Sequence, residues 1–417
     1  MSSTHWSAVA LRDVATFASG KTPSRSRQAE FFDGGTVPWV KTLDLTNSDI
    51  GTTAERVTQQ AIRDVKLSVQ PVGTVLVAMY GGFNQIGRTG VLRIPAATNQ
   101  AITAVLPKQA RLDSDFLLHT LNYRVDHWRT VASSSRKDPN ITKADVQAFP
   151  LNLPPLAEQK AVAAALNHAD DLIGSLARAI AKKRAVRQGL SQQLLTGATR
   201  LPGFTDSWRQ TLLRSHVSYL KTVPLSRAQL DTTSPIRYLH YGDIHTSDSP
   251  FLSTADVSMP RAPARFAGSA GRLQVGDLVF ADASEDPAGV GKSVEITSVP
   301  TQGVIPGLHT IAARFDKDVL ADGFKAYLQL HPTFRRSLLR LAAGTKVLAT
   351  TRSYISSVEL SLPPIDEQRA IAQVLSNTDA EIDAFKLRLD KAKAIKQGMA
   401  QQLLTGEARL PVAEALE

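Results

Sequence analysis

The sequence predicts an α+β protein. Two similar mixed α/β globules are separated by two long α-helices packed as an antiparallel coiled coil, with pseudo-twofold symmetry. Three features carry that prediction. A segment of 50 residues occurs twice, both copies have the apolar spacing of a long helix, and the stretches before each copy hold short β-forming runs broken by Gly and Pro.

Residues 1–152 form the first globule. It runs through short β-rich stretches, among them Val37-Pro38-Trp39-Val40-Lys41 and Val72-Gly73-Thr74-Val75-Leu76-Val77-Ala78, and residues 113–128 read as helical. Residues 153–201 form the first long helix. It opens on Leu153-Pro154-Pro155-Leu156-Ala157-Glu158-Gln159-Lys160 and closes on Gln192-Gln193-Leu194-Leu195-Thr196-Gly197. The prolines supply the fixed φ of a helix start, Glu158 lies in the first turn where the dipole favours a carboxylate, and Gly197 suits a left-handed C-terminus. Val162, Leu166, Ala169, Ile173, Leu176 and Ile180 follow the 4-3-4-3-4 spacing of a heptad seam, which slips and resumes at Val186, Leu190 and Leu194. Such a helix would run roughly 63 Å at ~1.5 Å per residue, too long to pack without a partner of similar length.

Residues 202–361 form the second globule. Trp208 and Leu213 match Trp6 and Leu11. The run 235–239 stands where 37–41 stands in the first half, 275–281 echoes 72–78, and 322–341 reads as helical. Residues 362–417 form the second long helix, from Leu362-Pro363-Pro364-Ile365-Asp366-Glu367-Gln368-Arg369 to Gln401-Gln402-Leu403-Leu404-Thr405-Gly406. The offset between the copies is a constant 209 residues, and 23 of the 50 aligned positions are identical. The second seam is Ile371, Leu375, Thr378, Ile382, Phe385 and Leu389, then Ile395, Met399 and Leu403. Each copy is therefore the natural packing partner of the other.

Composition narrows the function. The 417 residues carry 48 Lys+Arg against 38 Asp+Glu, a formal charge of +10, which fits an anionic partner and most simply nucleic acid. There is no cysteine, so thiol nucleophiles, disulfides and Cys-bound metals are excluded. No apolar run approaches the ~18 residues of a membrane helix, and no signal peptide is visible. A cytoplasmic protein without membrane contact is expected.

The doubled L-P-P-[LI]-x-E-Q-[KR] with Q-Q-L-L-T-G resembles the specificity subunit of type I restriction-modification systems, and the resemblance spans the whole chain. It implies that the globules are target recognition domains, each reading one half of a bipartite sequence in double-stranded DNA. It implies that the helices space the halves and dock two methyltransferase subunits. It also implies restriction subunits that translocate and cut. No cofactor is expected in this chain: S-adenosylmethionine, ATP and Mg belong to the partner subunits. A specificity subunit of a related two-subunit restriction-modification system is the alternative. The residues agree independently, since two similar but non-identical heads suit two different half-sites, whereas a homodimer would favour a palindrome.

Competing motifs are weaker. Residues 286–293, Asp-Pro-Ala-Gly-Val-Gly-Lys-Ser, end like a phosphate-binding loop, but the first position is Asp286 rather than Gly and a β-branched run follows instead of a helix. Neither Pro-Pro pair has the Asn/Asp and aromatic neighbours of an amine methyltransferase. His240 and His245 lack a carboxylate set for a metal. No catalytic, cofactor-binding or metal residue is therefore assigned.

DNA contacts are expected from three places in each globule. The first is the basic loop of Lys21, Thr22, Ser24, Arg25 and Arg27, with Lys221 and Thr222 in the second half. The second is the polar tip of Tyr80, Asn84, Gln85 and Arg88, matched by Ser284 and Lys292. The third precedes each long helix: Ser135, Arg136, Lys137, Thr142 and Lys143, matched by Thr345, Lys346, Thr351 and Arg352. Tyr238, His240 and Tyr241 add flat and hydrogen-bonding groups. Arg, Lys, Asn and Gln pair with base edges, while Ser and Thr mostly anchor phosphates. The basic run Arg178, Lys182, Lys183, Arg184 and Arg187, with Lys386, Arg388, Lys391, Lys393 and Lys396, reads as a solvated face or as a surface for acidic partners or the spacer phosphates.

Overall fold

The structure, a computed structural model, describes residues 6–82, 84–132, 140–284, 286–342 and 348–411. Two helices dominate it, Leu156–Thr196 and Ile365–Thr405, each of 41 residues. Both start directly after the second proline of the repeated motif. Both stop at a glycine in the left-handed region, Gly197 with φ 71° and Gly406 with φ 80°. An added Cβ would stand 3.2 Å from the Trp208 ring at the first and 3.4 Å from Trp6 at the second, so the same indole packing ends each helix.

The chain divides into two compact units. One is residues 1–177 with 388–417, the other residues 178–387. Each unit thus holds one globule, the N-terminal half of the helix that follows it, and the C-terminal half of the other long helix. The half-helices in each unit run antiparallel. In the first unit Asp170 pairs with Lys396 at 2.6 Å and Glu158 with Arg409 at 2.5 Å. In the second, Arg187 pairs with Asp379 and Arg200 with Glu367. Each pair recurs at the 209-residue offset, so the repeat is one of interactions as well as of sequence.

The seam is apolar where the heptad places it. Val162, Leu166, Leu176, Ile180, Ile371, Leu375 and Ile382 are buried, and Ile173, Phe385 and Leu389 are half-buried. Its first turns serve a second purpose. Val162 and Leu166 join a core with Phe116, Trp128 and Phe149 of the first globule, and Ile371 and Leu375 join one with Phe324, Tyr327 and Phe334 of the second. Fully burying such a side chain stabilises by roughly 1.5–3 kcal/mol, which fastens each globule to its helix. The resumed track departs from expectation: Val186 and Ile395 are 46% and 52% exposed. The neighbouring Arg187 and Lys396 face the opposite helix instead, because Asp379 and Asp170 there give them ionic partners.

Each globule is built on a five-stranded sheet of the same spatial order. In the first it runs Ala15–Ser19, Ile102–Pro107, Val75–Ala78, Thr89–Leu92, Ser48–Ile50. In the second it runs Val217–Tyr219, Thr310–Phe315, Leu278–Ala281, Ser293–Ser298, Phe251–Ser253. The last strand of each is parallel to its neighbour and the other pairings are antiparallel. The first globule adds a four-stranded sheet that includes Val37–Val40, whereas the matching Arg237–Leu239 forms a two-stranded parallel sheet with Val304–Pro306 and an isolated antiparallel bridge from Arg237 to Arg261. The helix expected over 113–128 is broken into Ser114–Tyr123 and His127–Val131. That expected over 322–341 is a 3-10 segment, Lys325–Leu330, followed by Pro332–Ala342. Pro332 explains the second break, since it supplies no N–H and suits a helix start. Among the described residues, no helix is long and apolar enough to cross a membrane.

Candidate nucleic-acid interface

Strand direction gathers the predicted loops. In the first globule Ser19, Ala78, Thr89 and Ile102 lie at one end of the sheet. The loops leaving that end carry Lys21, Tyr80, Asn84, Gln85 and Arg88, and the Ile141 N–H donates to the Met79 carbonyl at 3.0 Å, which brings Thr142 and Lys143 there too. In the second, Tyr219, Ala281, Ser293 and Thr310 mark the matching end. Lys221, Ser284 and Lys292 lie beside it, and the Thr350 N–H donates to the Asp282 carbonyl at 2.7 Å, bringing Thr351 and Arg352. His240 and Tyr241 follow the strand Arg237–Leu239.

Several of these side chains are held by the protein itself. Arg25 pairs with Glu55 at 2.5 Å and lies over the Phe32 ring at 4.1 Å. Arg27 pairs with Glu30 and Asp64 and lies 4.0 Å from Phe31. Hydrogen bonds from Lys41 and Arg25 keep the Glu55 carboxyl below its usual range. Lys21 Nζ donates to the Val65 carbonyl at 3.1 Å, and Thr22 and Ser24 are exposed, Ser24 accepting from the Ser26 N–H. These bonds orient the basic loop while leaving Arg25 about half exposed.

At the tip, Tyr80 is 43% exposed and Asn84 is exposed. Gln85 is half-buried, and Arg88 Nε donates to the Asn84 carbonyl at 3.0 Å. The corresponding Lys292 donates to the His245 carbonyl at 2.6 Å, and the strand Ser293–Ser298 follows it. The turns are the same: the N–H of Ala78 meets the Arg88 carbonyl, that of Ala281 meets the Lys292 carbonyl, and the preceding Gly87 and Gly291 have φ 75° and 74°. Ser284 is 8% exposed and closes its own loop on the Asp286 carbonyl.

Before the long helices, Thr142 and Thr351 both cap a short helix, accepting from the N–H of Asp145 and of Tyr354. Lys143 reaches the Phe17 carbonyl at 3.3 Å and Arg352 the Leu220 carbonyl at 3.0 Å, the latter passing over Tyr219. Ser135, Arg136, Lys137, Thr345 and Lys346 lie outside the described residues. Lys221 is exposed and Thr222 half-buried.

Tyr238 departs from its expected place. Its ring is fully buried, and its hydroxyl donates to the Val223 carbonyl while accepting from the Leu225 and Leu308 N–H groups. A side chain so placed serves packing and offers no face to a duplex. Its neighbours remain outside: His240 caps the helix Tyr241–Thr246, and Tyr241 is 37% exposed against His240, ring centroids 4.3 Å apart.

The sequence motif acquires a mechanical meaning. Glu367 is fully buried, accepting from Arg200 Nε and Nη2 at 2.5 and 2.6 Å and from Trp208 Nε1 at 3.1 Å. Glu158 accepts from Arg409 in the same fork, at 2.9 and 2.5 Å. The glutamine beside each glutamate repeats as closely. Gln159 accepts from the Asp113 N–H and donates to the Arg111 carbonyl, and Gln368 accepts from the Ala321 N–H and donates to the Val319 carbonyl. The Glu fastens the end of the other long helix, and the Gln fastens the globule. Sequence reading assigned Glu158 and Glu367 to the helix dipole. The missed signal was Arg200 and Arg409, identical residues three positions past each terminal glycine.

Of the basic run on the helices, Lys183, Arg187, Lys386 and Lys396 are ion-paired, with Glu381, Asp379, Asp383 and Asp170. Arg178, Lys182, Arg184, Lys391 and Lys393 are exposed.

Residues 4–182 match the family model of the type I restriction modification DNA specificity domain. The type I restriction enzyme EcoKI specificity subunit of Escherichia coli K12 is 21% identical over 422 residues, covering 96% of this chain and 87% of that one. The MjaIX specificity subunit of Methanocaldococcus jannaschii is 26% identical over 172 residues, 40% of this chain and 38% of that relative, so the match spans under half of its length. The crystal structure of the S subunit of a type I restriction-modification system from M. genitalium superposes with a TM-score of 0.61 at 13% identity, covering 97% of each chain.

Proposed function

This chain belongs to the specificity subunits of type I restriction-modification systems, and from that premise we propose that its two globules are separate readers of one DNA target. A specificity subunit is the non-catalytic part of its enzyme complex. In the proposed reading, residues 1–152 and 202–361 are target recognition domains, each taking one half of a bipartite, asymmetric sequence. Residues 153–201 and 362–417 hold the halves at a fixed spacing and dock two methyltransferase subunits, which bring S-adenosylmethionine. Restriction subunits bring ATP and Mg. The chain's own contribution is the choice of sequence.

One observation carries this reading. Two sheets of the same strand order bring two different sets of polar side chains to the same end of each globule. Equal frames with unequal side chains suit two related but different half-sites. The exposed groups in those loops are of both needed kinds, cations for phosphates and amides or aromatics for bases.

The test is exchange. Residues 1–152 are replaced by the matching globule of another specificity subunit, and methylated adenines are mapped by sequencing DNA from cells that carry the hybrid complex. One half of the target should change while the other half stays. A hybrid that changes both halves would refute independent reading.

A further inference from the structure

We propose that His309, braced by Asp282 and Tyr241, reads a base edge in the half-site of the second globule. The proposal rests on the two-reader function above and names a residue within it.

The two globules share a backbone frame here. The chain leaving the central strand donates to the residue that precedes the next antiparallel strand: the Met79 N–H to the Ala101 carbonyl at 2.8 Å in the first globule, and the Asp282 N–H to the His309 carbonyl at 3.1 Å in the second. The side chains on this frame differ. Met79 is buried and Ala101 carries no polar group. In the second globule His309 Nδ1 lies 3.1 Å from Asp282 Oδ1. The ring meets Tyr241 edge to face at 5.5 Å and 89°, and half of the side chain is exposed.

His309 also has φ 56°, a region that L-residues avoid and glycine enters freely. Here an imidazole is kept in a disfavoured backbone state, supported on two sides and open to solvent on another, a combination that marks ligand contacts. With Asp282 accepting from Nδ1–H, Nε2 is the ring atom left to meet a hydrogen-bonding partner. The ring stands at the sheet end that carries Lys292 and Tyr241. Asp282 is then a positioning residue, and His309 the contact.

The experiment uses the full chain assembled with its methyltransferase subunits and a library of targets randomised in both halves. His309→Gly keeps the backbone conformation and removes the ring. His309→Asn keeps a polar residue that tolerates positive φ, and serves if the glycine variant does not fold. Preference at one base position of the second half should weaken roughly 10-fold, with the first half and the melting temperature unchanged. Asp282→Ala should weaken the same position. Unchanged preferences, a uniform loss of rate over all sequences, or a change in the first half would each overturn the proposal. A wild-type complex without any bipartite preference would instead refute the two-reader function, and this proposal with it.

Discussion

Four residues inserted into each long helix, between Ala177 and Arg178 and between Leu387 and Arg388, would test whether the helices act as a ruler. The structure chooses those points. The pairs Glu158–Arg409 and Asp170–Lys396 lie wholly on one side of both insertions, and Arg187–Asp379 and Arg200–Glu367 wholly on the other, so every pair survives. Four residues add about 6 Å at ~1.5 Å each, and turn the helix by about 400°, or about 40° net, at ~3.6 residues per turn. One base pair adds ~3.4 Å and about 35°. Rotation thus favours one added base pair and length nearly two. The unread spacer should grow by one or two pairs while both half-sites stay as they were. Two inserted residues would swing the seam by about 160° away from its partner and should abolish modification. Genome-wide mapping of methylated adenines reads the spacer directly. Methylation that persists at the original spacing in the four-residue variant would show that the helices do not set the distance.

Two further outcomes follow from the loops and the core. Replacing Arg136, Lys137 and Lys143 together with Ala should weaken DNA binding and lower the slope of log affinity against log salt by about 0.9 for each phosphate that is no longer neutralised. Co-purification of the methyltransferase subunits should be unchanged, and its loss at full DNA affinity would reverse the assignment. Glu295, on the strand Ser293–Ser298, accepts from the Gly323 and Ala326 N–H groups at 2.6 and 2.9 Å, and burial pushes its carboxyl up from an ordinary 4.5 to about 7. The folded chain therefore keeps a proton that the unfolded chain has released, and stability from this group falls as pH rises from about 4.5 through about 7, by on the order of 3 kcal/mol. Glu295→Gln should remove that slope in denaturant unfolding, and an identical slope in the variant would refute the assignment.

The helices were legible because a heptad seam and a repeat leave marks that need no tertiary knowledge. The doubled prolines, the terminal glycines and most apolar positions of the first seam fall where the structure uses them. Pairings between elements were less visible. Glu158 and Glu367 sit far from Arg409 and Arg200 in sequence, and only folding shows the forked ion pairs. Val186 and Ile395 kept the apolar period but face outward, because a charged pair one position later fits the opposite helix better. Tyr238 looked like a DNA-facing residue and is packing, since both faces of its short strand are covered and its hydroxyl found backbone partners. His309 and Asp282 are hard to see in the sequence for the opposite reason. They belong to one globule only, so the repeat does not mark them.

The backbone hydrogen bond shared by Met79 with Ala101 and by Asp282 with His309 has a consequence for how such proteins diversify. It is made by main-chain atoms alone, so no side-chain atom is part of it. At Asp282, outside the core, a change of side chain therefore leaves the frame in place, whereas Met79 is buried and His309 stands at φ 56°. One frame can thus serve both globules while the side chains carried on it differ, as Met79 and Ala101 differ from Asp282 and His309.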